Sequence, residues 1–466
     1  MTGQDKRYLL VNLGCSKNLV DSESMAQLLH REGYRGTADA DRAGVLIVNT
    51  CGFIDAAREE SIETLRELAG RKRRGQLLIA AGCLAQRYGA DLAREVPGLD
   101  GVIGTRRWMD IVEVIDRARA RRHPEPLYHL PDEALTVGQD EHGVLRAAIQ
   151  GASAYLKIAD GCRRPCAFCS IPLIKGTHVS RPPQAIIAEA ARLNDLGVKE
   201  IMIISQDSTD YGHDIGIKNG LAWLLKQIVA VTPDVPWIRI MYAYPGYVTD
   251  ELIEAMASHE KVLPYLDMPL QHGSREVLKR MRRPAKVEWV YETVEKMRRA
   301  IPGLAIRTTF IVGYPGETEE EFEELLQFVR DLRFDRVGAF TYSYERETPS
   351  ADLPGHLPDE IKQQRHERLM LTQQDISHQI NQSYVGRALD VLIEGYDPHK
   401  RISVGRSYRD APEIDGMVFV EGELPVGELV PVRITGAMVY DLIGTVEIGG
   451  PQVINLDSLT QDDTSV

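Results

Sequence analysis

Short apolar runs alternate with stretches of helical period from Tyr8 to Tyr342, which restricts this part of the chain to folds built on parallel sheets with helices against their faces. The first runs are Tyr8–Leu13, Val45–Val48, Leu77–Ala81 and Gly101–Ile103, with helical patterns near Leu19–Arg31, Asp55–Ala69, Leu84–Glu95 and Trp108–Arg121. They predict an α/β, doubly wound parallel-sheet domain over 5–121. Residues 122–147, broken by Pro124, Pro126 and Pro131, read as a linker.

Six more runs follow: Ala154–Ala159, Glu200–Ser205, Trp237–Tyr242, Tyr265–Met268, Ala305–Val312 and Arg336–Tyr342. With helical segments between them they predict an incomplete (β/α)6 barrel over 148–380. Thr318 and Glu321 have the spacing of a capping box that opens an acidic helix. A polar helical connector, Asp359–Gln382, then leads to five short β-rich runs broken by glycine and proline. These predict a small β-barrel of the oligonucleotide-binding kind over 381–449, and the tail, 450–466, has no core-forming pattern.

The chain has 466 residues and only six cysteines, too few for a disulfide scaffold. A polar start and the lack of any run of roughly 18 apolar residues predict a soluble, cytoplasmic protein with no membrane partner. Cysteines in such a chain read as metal ligands or catalysts.

Three of them, Cys162, Cys166 and Cys169, form a C-x3-C-x2-C loop directly after the first barrel strand. Barrel chemistry gathers at the carboxyl ends of the strands, where this loop falls. Three thiolates on a 4Fe-4S cluster leave one iron open for chemistry, whereas electron-transfer clusters usually take four cysteines. A zinc site completed by a distant residue is the alternative reading. Cys15, Cys51 and Cys83 each end one of the first three predicted strands, so a parallel sheet brings them side by side. They read as the ligands of a second 4Fe-4S cluster, with three buried structural thiols as the bland alternative.

The cysteine loop, with Phe168 before its last cysteine and a barrel around it, resembles the radical S-adenosylmethionine (SAM) superfamily. The order of that barrel, the three-cysteine N-terminal domain and a C-terminal TRAM barrel resembles the methylthiotransferase family over nearly the whole chain. Within it, the match is to the RimO-type branch, carried by Asn12–Glu23, Cys51–Ala57, Ser205–Gly212 and Tyr342–Thr348.

The resemblance implies a methylthio transfer to an aspartate β-carbon of small-subunit ribosomal protein number twelve. It further implies two clusters, two SAM molecules per turnover and an electron donor. One SAM would methylate a sulfur at the Cys15/Cys51/Cys83 cluster, and the other would be cleaved at the Cys162/Cys166/Cys169 cluster. Phe168, Ser205, Gln206, Asp207, Gln271 and Gly313 would lie along the SAM site, although each polar one could equally be a solvated loop residue or helix cap.

Charge bears on the substrate. The chain carries a net −13, and from Ser383 to Glu447 six cations face eleven acids. Nucleic-acid affinity rests on cations that neutralise phosphates, so this module suits a basic ribosomal protein better than tRNA. Arg406 and Arg409 remain as candidate RNA contacts. A tRNA adenosine methylthiotransferase and a non-catalytic iron–sulfur RNA-binding protein are the competing readings.

Overall fold

The computed structural model describes residues 6–121, 125–131 and 142–447, and the chain divides into two compact units, Met1–Met370 and Leu371–Val466. The expected tail, 450–466, and half of the expected linker, 122–124 and 132–141, lie outside the described residues.

The first unit opens with one parallel sheet made of β1 (Arg7–Asn12), β2 (Arg35–Gly36), β3 (Val45–Thr50), β4 (Leu77–Gly82), β5 (Gly101–Gly104) and β6 (Leu127–His129). Their order is β2-β1-β3-β4-β5-β6. Helices α1 (Ser16–Arg31), α2 (Asp55–Arg71), α3 (Cys83–Glu95) and α4 (Ile111–Ala120) cover both faces. Successive side chains of a strand point to opposite faces, and the core divides accordingly. Val45, Ile47 and Ile79 pack with Met25 and Leu29 of α1 and Val114 of α4, while Leu46, Val48 and Leu78 pack with Leu65 of α2 and Leu84 of α3. Each such side chain contributes roughly 1.5–3 kcal/mol on burial.

The expected doubly wound domain is thus present, with two edge strands that the hydrophobic pattern does not reveal. Strand β6 lies inside the segment read as linker. Its three residues are too short a run to stand out among prolines and charges.

The barrel begins with an antiparallel hairpin, β7 (Ala147–Gln150) and β8 (Ser153–Lys157). A short ribbon of β9 (Ala159–Asp160) and β10 (Val179–Ser180) brackets the cysteine loop and helix α5 (Ile171–Lys175). Beyond α6 (Pro183–Asp195) come β11 (Glu200–Ile204), α7 (Gly220–Val231), β12 (Trp237–Ile240), α8 (Asp250–Ser258) and β13 (Val262–Asp267). Then follow α9 (Arg275–Arg280), α10 (Val287–Ala300), β14 (Ala305–Val312), α11 (Glu319–Leu332) and β15 (Arg336–Thr341). The sheet order is β15-β14-β13-β12-β11-β8-β7, so six parallel strands form an open barrel with one antiparallel edge. Helix α11 starts at the expected capping box: Thr318 accepts from the Glu321 amide and Glu321 accepts from the Thr318 amide.

Helix α12 (Asp359–Gln382) crosses the division between the units. In the second unit β16 (Ala388–Asp397), β17 (Ile402–Ser407), β18 (Val418–Glu421), β19 (Leu429–Ala437) and β20 (Leu442–Val446) close into a barrel around Val391, Ile393, Val418 and Val432. Among the described residues no helix is long and apolar enough to cross a membrane.

Gly82, at the end of β4, has φ +98° and ψ −152°, a region only glycine adopts freely. A Cβ there would stand 2.6 Å from the Thr50 carbonyl oxygen. Gly82→Ala is expected to lower the unfolding free energy of the N-terminal domain by about 2–4 kcal/mol, read as an earlier urea transition.

Candidate active site

Strand β8 feeds through β9 into Gly161, whose φ is +71° and whose added Cβ would come 2.0 Å from the Thr177 carbonyl oxygen. Only glycine allows the loop to double back so tightly. Cys162, Cys166 and Cys169 follow, and backbone bonds pin them: Cys162 N–H to the Gly176 oxygen at 3.1 Å, Ala167 N–H to Met281 at 2.9 Å and Cys169 N–H to Cys166 at 3.1 Å.

Arginines fix the outer side of the loop. Arg163 forks onto Asp210 with two 2.7 Å bonds, and Arg164 reaches Asp207 at 2.6 Å and Asp210 at 3.2 Å. The Arg164 guanidinium also stacks 3.7 Å from the Tyr247 ring centre and 4.5 Å from that of Tyr244. Arg283 lies over Tyr244 at 4.2 Å and points Nη1 at the Cys166 sulfur, 3.6 Å away. Burial pushes the Cys162 thiol up to about 11 and Cys169 up to about 12, and Cys166 adds to both rises. Ionising these thiols together is costly in a protein alone. A bound metal centre that takes thiolates removes that cost.

The other three cysteines converge at the carboxyl ends of β1, β3 and β4, which pair in register through Asn12 with Asn49 and Thr50 with Gly82. Cys15 is the N-cap of α1, Cys51 follows Thr50, and Cys83 is the first residue of α3. Asn18 clamps them: its Nδ2 donates to the Thr50 oxygen at 3.2 Å, its Oδ1 lies 3.5 Å from the Cys83 sulfur, and its own carbonyl accepts from Asn49 at 2.9 Å. Ser61 brackets Cys51 with 3.1 Å bonds to its N–H and C=O.

Burial raises Cys51, and it pushes Cys83 up to about 12 with the Cys15 and Cys51 thiols adding to the rise. Cys15 differs. Burial would raise it too, but the Lys17 ammonium, the Asn18 N–H and Lys175 together hold it below the ordinary thiol value. Cys15 is nonetheless an exposed residue, at the start of α1.

Between the triads runs α5, which begins two residues after Cys169 and packs on α3. Its last residue, Lys175, enters a buried ion network. Asp21 of α1 accepts from Arg146 and Lys157 at 2.7 Å each and from Lys175 at 3.1 Å. Asp160 accepts from the same three cations, at 3.4 Å from Arg146, 2.6 Å from Lys157 and 3.2 Å from Lys175. None of these five side chains is more than 3% exposed. Burial pushes Lys157 down to about 8, whereas at Lys175 the pull of Asp160 and Asp21 outweighs burial and keeps the ammonium well above its usual range.

The expected SAM-side residues sit in different surroundings. Gln206, after β11, keeps a buried side-chain oxygen with no hydrogen-bond partner, and Ser205 Oγ lies 3.3 Å from Ser208 Oγ. Asp207 is committed to Arg164. Gln271 has φ +74° and is held there by backbone bonds to Thr309 and Ile311 at 2.8 Å each. Gly313 has a packing reason of its own, since a Cβ would lie 2.4 Å from Lys362 Cγ. Phe168 packs beside Val277, Met281, Tyr314 and Tyr342.

Sequence reasoning missed the ion network and Arg283. The available signal was Lys157, a lysine inside an otherwise apolar strand.

All six cysteines therefore fall into two triads, none in a disulfide, which is a donor set suited to iron–sulfur clusters. Among the described residues no three His, Cys, Asp or Glu side chains are grouped closely enough to hold a single metal ion. A cube of four irons instead takes its thiolates at separate corners.

Residues 156–329 match the Radical SAM superfamily, 7–104 match uncharacterized protein family UPF0004, and 385–446 match the TRAM domain. The ribosomal protein uS12 methylthiotransferase RimO of Chloroflexus aurantiacus is 48% identical over 451 residues, covering 94% of this chain and 99% of that protein. The enzyme of the same name from Symbiobacterium thermophilum is 46% identical over 469 residues, covering 99% and 94%. Among solved structures, the radical S-adenosylmethionine methyltransferase TsrM from Kitasatospora setae, with cobalamin and a 4Fe-4S cluster bound, shares the fold. Its TM-score is 0.52 at 16% identity, over 74% of this chain and 77% of that one. With a radical SAM barrel, a TRAM barrel and relatives so similar over almost its full length, the chain belongs to the RimO family of methylthiotransferases.

Proposed function

We propose that this enzyme inserts a methylthio group at the β-carbon of an aspartate in ribosomal protein uS12, in the cytoplasm, with two 4Fe-4S clusters and two SAM molecules per turnover. The observation that carries this reading is that the loop of Cys162, Cys166 and Cys169 runs straight into α5, which packs on α3, the helix that begins with Cys83. Cys162, Cys166 and Cys169 would hold the cluster that, with SAM on its open iron and an electron from an external donor, supplies a carbon-centred radical. Cys15, Cys51 and Cys83 would hold the second.

The protein's own part is placement. Arg163 and Arg164 lock the cysteine loop against Asp207 and Asp210, and Arg283 backs Cys166 from the other side. The free Gln206 oxygen suits the ammonium of the SAM methionyl group, a donor in search of an acceptor. Gln271, in a conformation that costs a non-glycine residue of order 1–3 kcal/mol, offers its amide from a backbone bridge to Phe310 of β14.

A tRNA substrate is disfavoured by the second unit. Arg406 and Arg409, read from sequence as possible RNA contacts, are turned inward at 2% and 0% exposure. Arg406 pairs with Glu394 at 2.8 Å, and Arg409 bonds Asn381 and stacks on Tyr384. The acidic barrel surface suits a basic protein.

Anaerobic reconstitution, followed by reductant, SAM and either a uS12 peptide or an anticodon stem-loop, tests the reading by mass spectrometry. A methylthio adduct on the peptide aspartate is expected, and an adduct on the RNA alone would overturn the substrate. Cys166→Ala is expected to abolish formation of 5′-deoxyadenosine, whereas Cys51→Ala leaves it measurable and eliminates sulfur transfer. Equal loss in both would count against separate roles for the triads. Gln206→Leu is expected to weaken SAM binding by roughly 10- to 100-fold, the range for a hydrogen bond to a charged group, with iron content unchanged by assay.

A further inference from the structure

The buried network joining α1, the strand pair β8–β9 and α5 does not balance. Arg146, Lys157 and Lys175 are three cations, Asp21 and Asp160 are two carboxylates, and all five are shielded from water. One positive charge is left over. The adjacent Glu189 cannot absorb it, because that carboxylate is bidentate to Arg181 at 2.7 and 2.8 Å. Lys17, 8% exposed with Nζ 3.0 Å from the Tyr242 ring centre, adds a further cation that acts on Cys15.

An uncompensated buried charge costs several kcal/mol unless something of opposite sign faces it. Beyond its two carboxylates, Lys175 acts electrostatically on the Cys15 and Cys83 thiols, and its helix α5 packs on α3, which begins with Cys83. Three thiolates around a cube with a doubly positive core leave one net negative charge, and a second on reduction. The surplus cation and the cluster are therefore complementary, more so in the reduced state.

We propose that Lys175 is the counter-charge of the N-terminal cluster and raises its reduction potential. This rests on the reading that Cys15, Cys51 and Cys83 hold a cluster. The role is electrostatic, since Asp21 and Asp160 each keep Arg146 and Lys157 as partners without Lys175. Asp21 belongs to the same network and its negative charge lies on the same side as Cys83, so its removal should have the opposite effect.

The test uses the full-length chain with Cys162→Ala, Cys166→Ala and Cys169→Ala, which leaves the N-terminal triad alone, and reads the midpoint potential by electron paramagnetic resonance. Lys175→Met is expected to make reduction at least tenfold less favourable, a fall of about 59 mV for a one-electron couple. Lys175→Arg should leave the potential near that of the parent, and Asp21→Asn should raise it. Both Lys175→Met and Asp21→Asn break the Lys175–Asp21 pair and leave the network short of a member, so purely structural damage would move both potentials in one direction. Shifts of the same sign, or none, overturn the proposal. If the parent retains no iron, the cluster reading itself fails and the proposal falls with it. Should Lys175→Met not fold, judged by the melting of the apo-protein, Lys175→Gln replaces it with the same expected fall.

Discussion

The two carboxylates and three cations buried at the seam of the first unit are the interaction on which the site depends. Asp21 comes from the N-terminal sheet domain, and its partners come from the barrel, so the two domains are joined by charge as well as by apolar contact. Moving such groups out of water is expensive, and replacing them by apolar side chains often stabilises a protein. Their value here lies in geometry: a fully satisfied ion network inside a protein fixes its members against one another. Strand ends that carry Cys15, Cys51 and Cys83 are thereby held to a fixed position against the loop that carries Cys162, Cys166 and Cys169.

Around each triad, neutral and charged groups divide the work differently. The barrel loop is held by guanidinium groups that bind carboxylates and stack on tyrosines, arrangements that arginine makes and lysine does not. The N-terminal triad is held instead by backbone geometry and by amide and hydroxyl side chains, with Asn18 at the centre. One site is thus positioned by electrostatics from outside, the other by the register of a parallel sheet.

Much of this was legible in the chain itself. Cys15, Cys51 and Cys83 announce their convergence because parallel strands in sequence-spaced runs must end on one edge, and the cysteine loop needs no tertiary information at all. The capping box at Thr318 is equally local. What escaped was whatever depends on facing. Arg406 and Arg409 count as cations in any tally, yet they are turned into the barrel, and a composition carries no direction. Asp21, Lys157 and Lys175 lie up to 154 positions apart, so their meeting is a property of the fold. Strand β6 was hidden because three residues cannot display a period.

Helix α5 links one triad to the other in only five residues, a rise of about 7.5 Å. A single residue inserted within it would turn Lys175 by about 100° around the helix axis, away from Asp21 and Asp160. The segment between Cys169 and Gly176 can therefore vary in side chains far more readily than in length, and its residue count is itself a dimension of the site's construction.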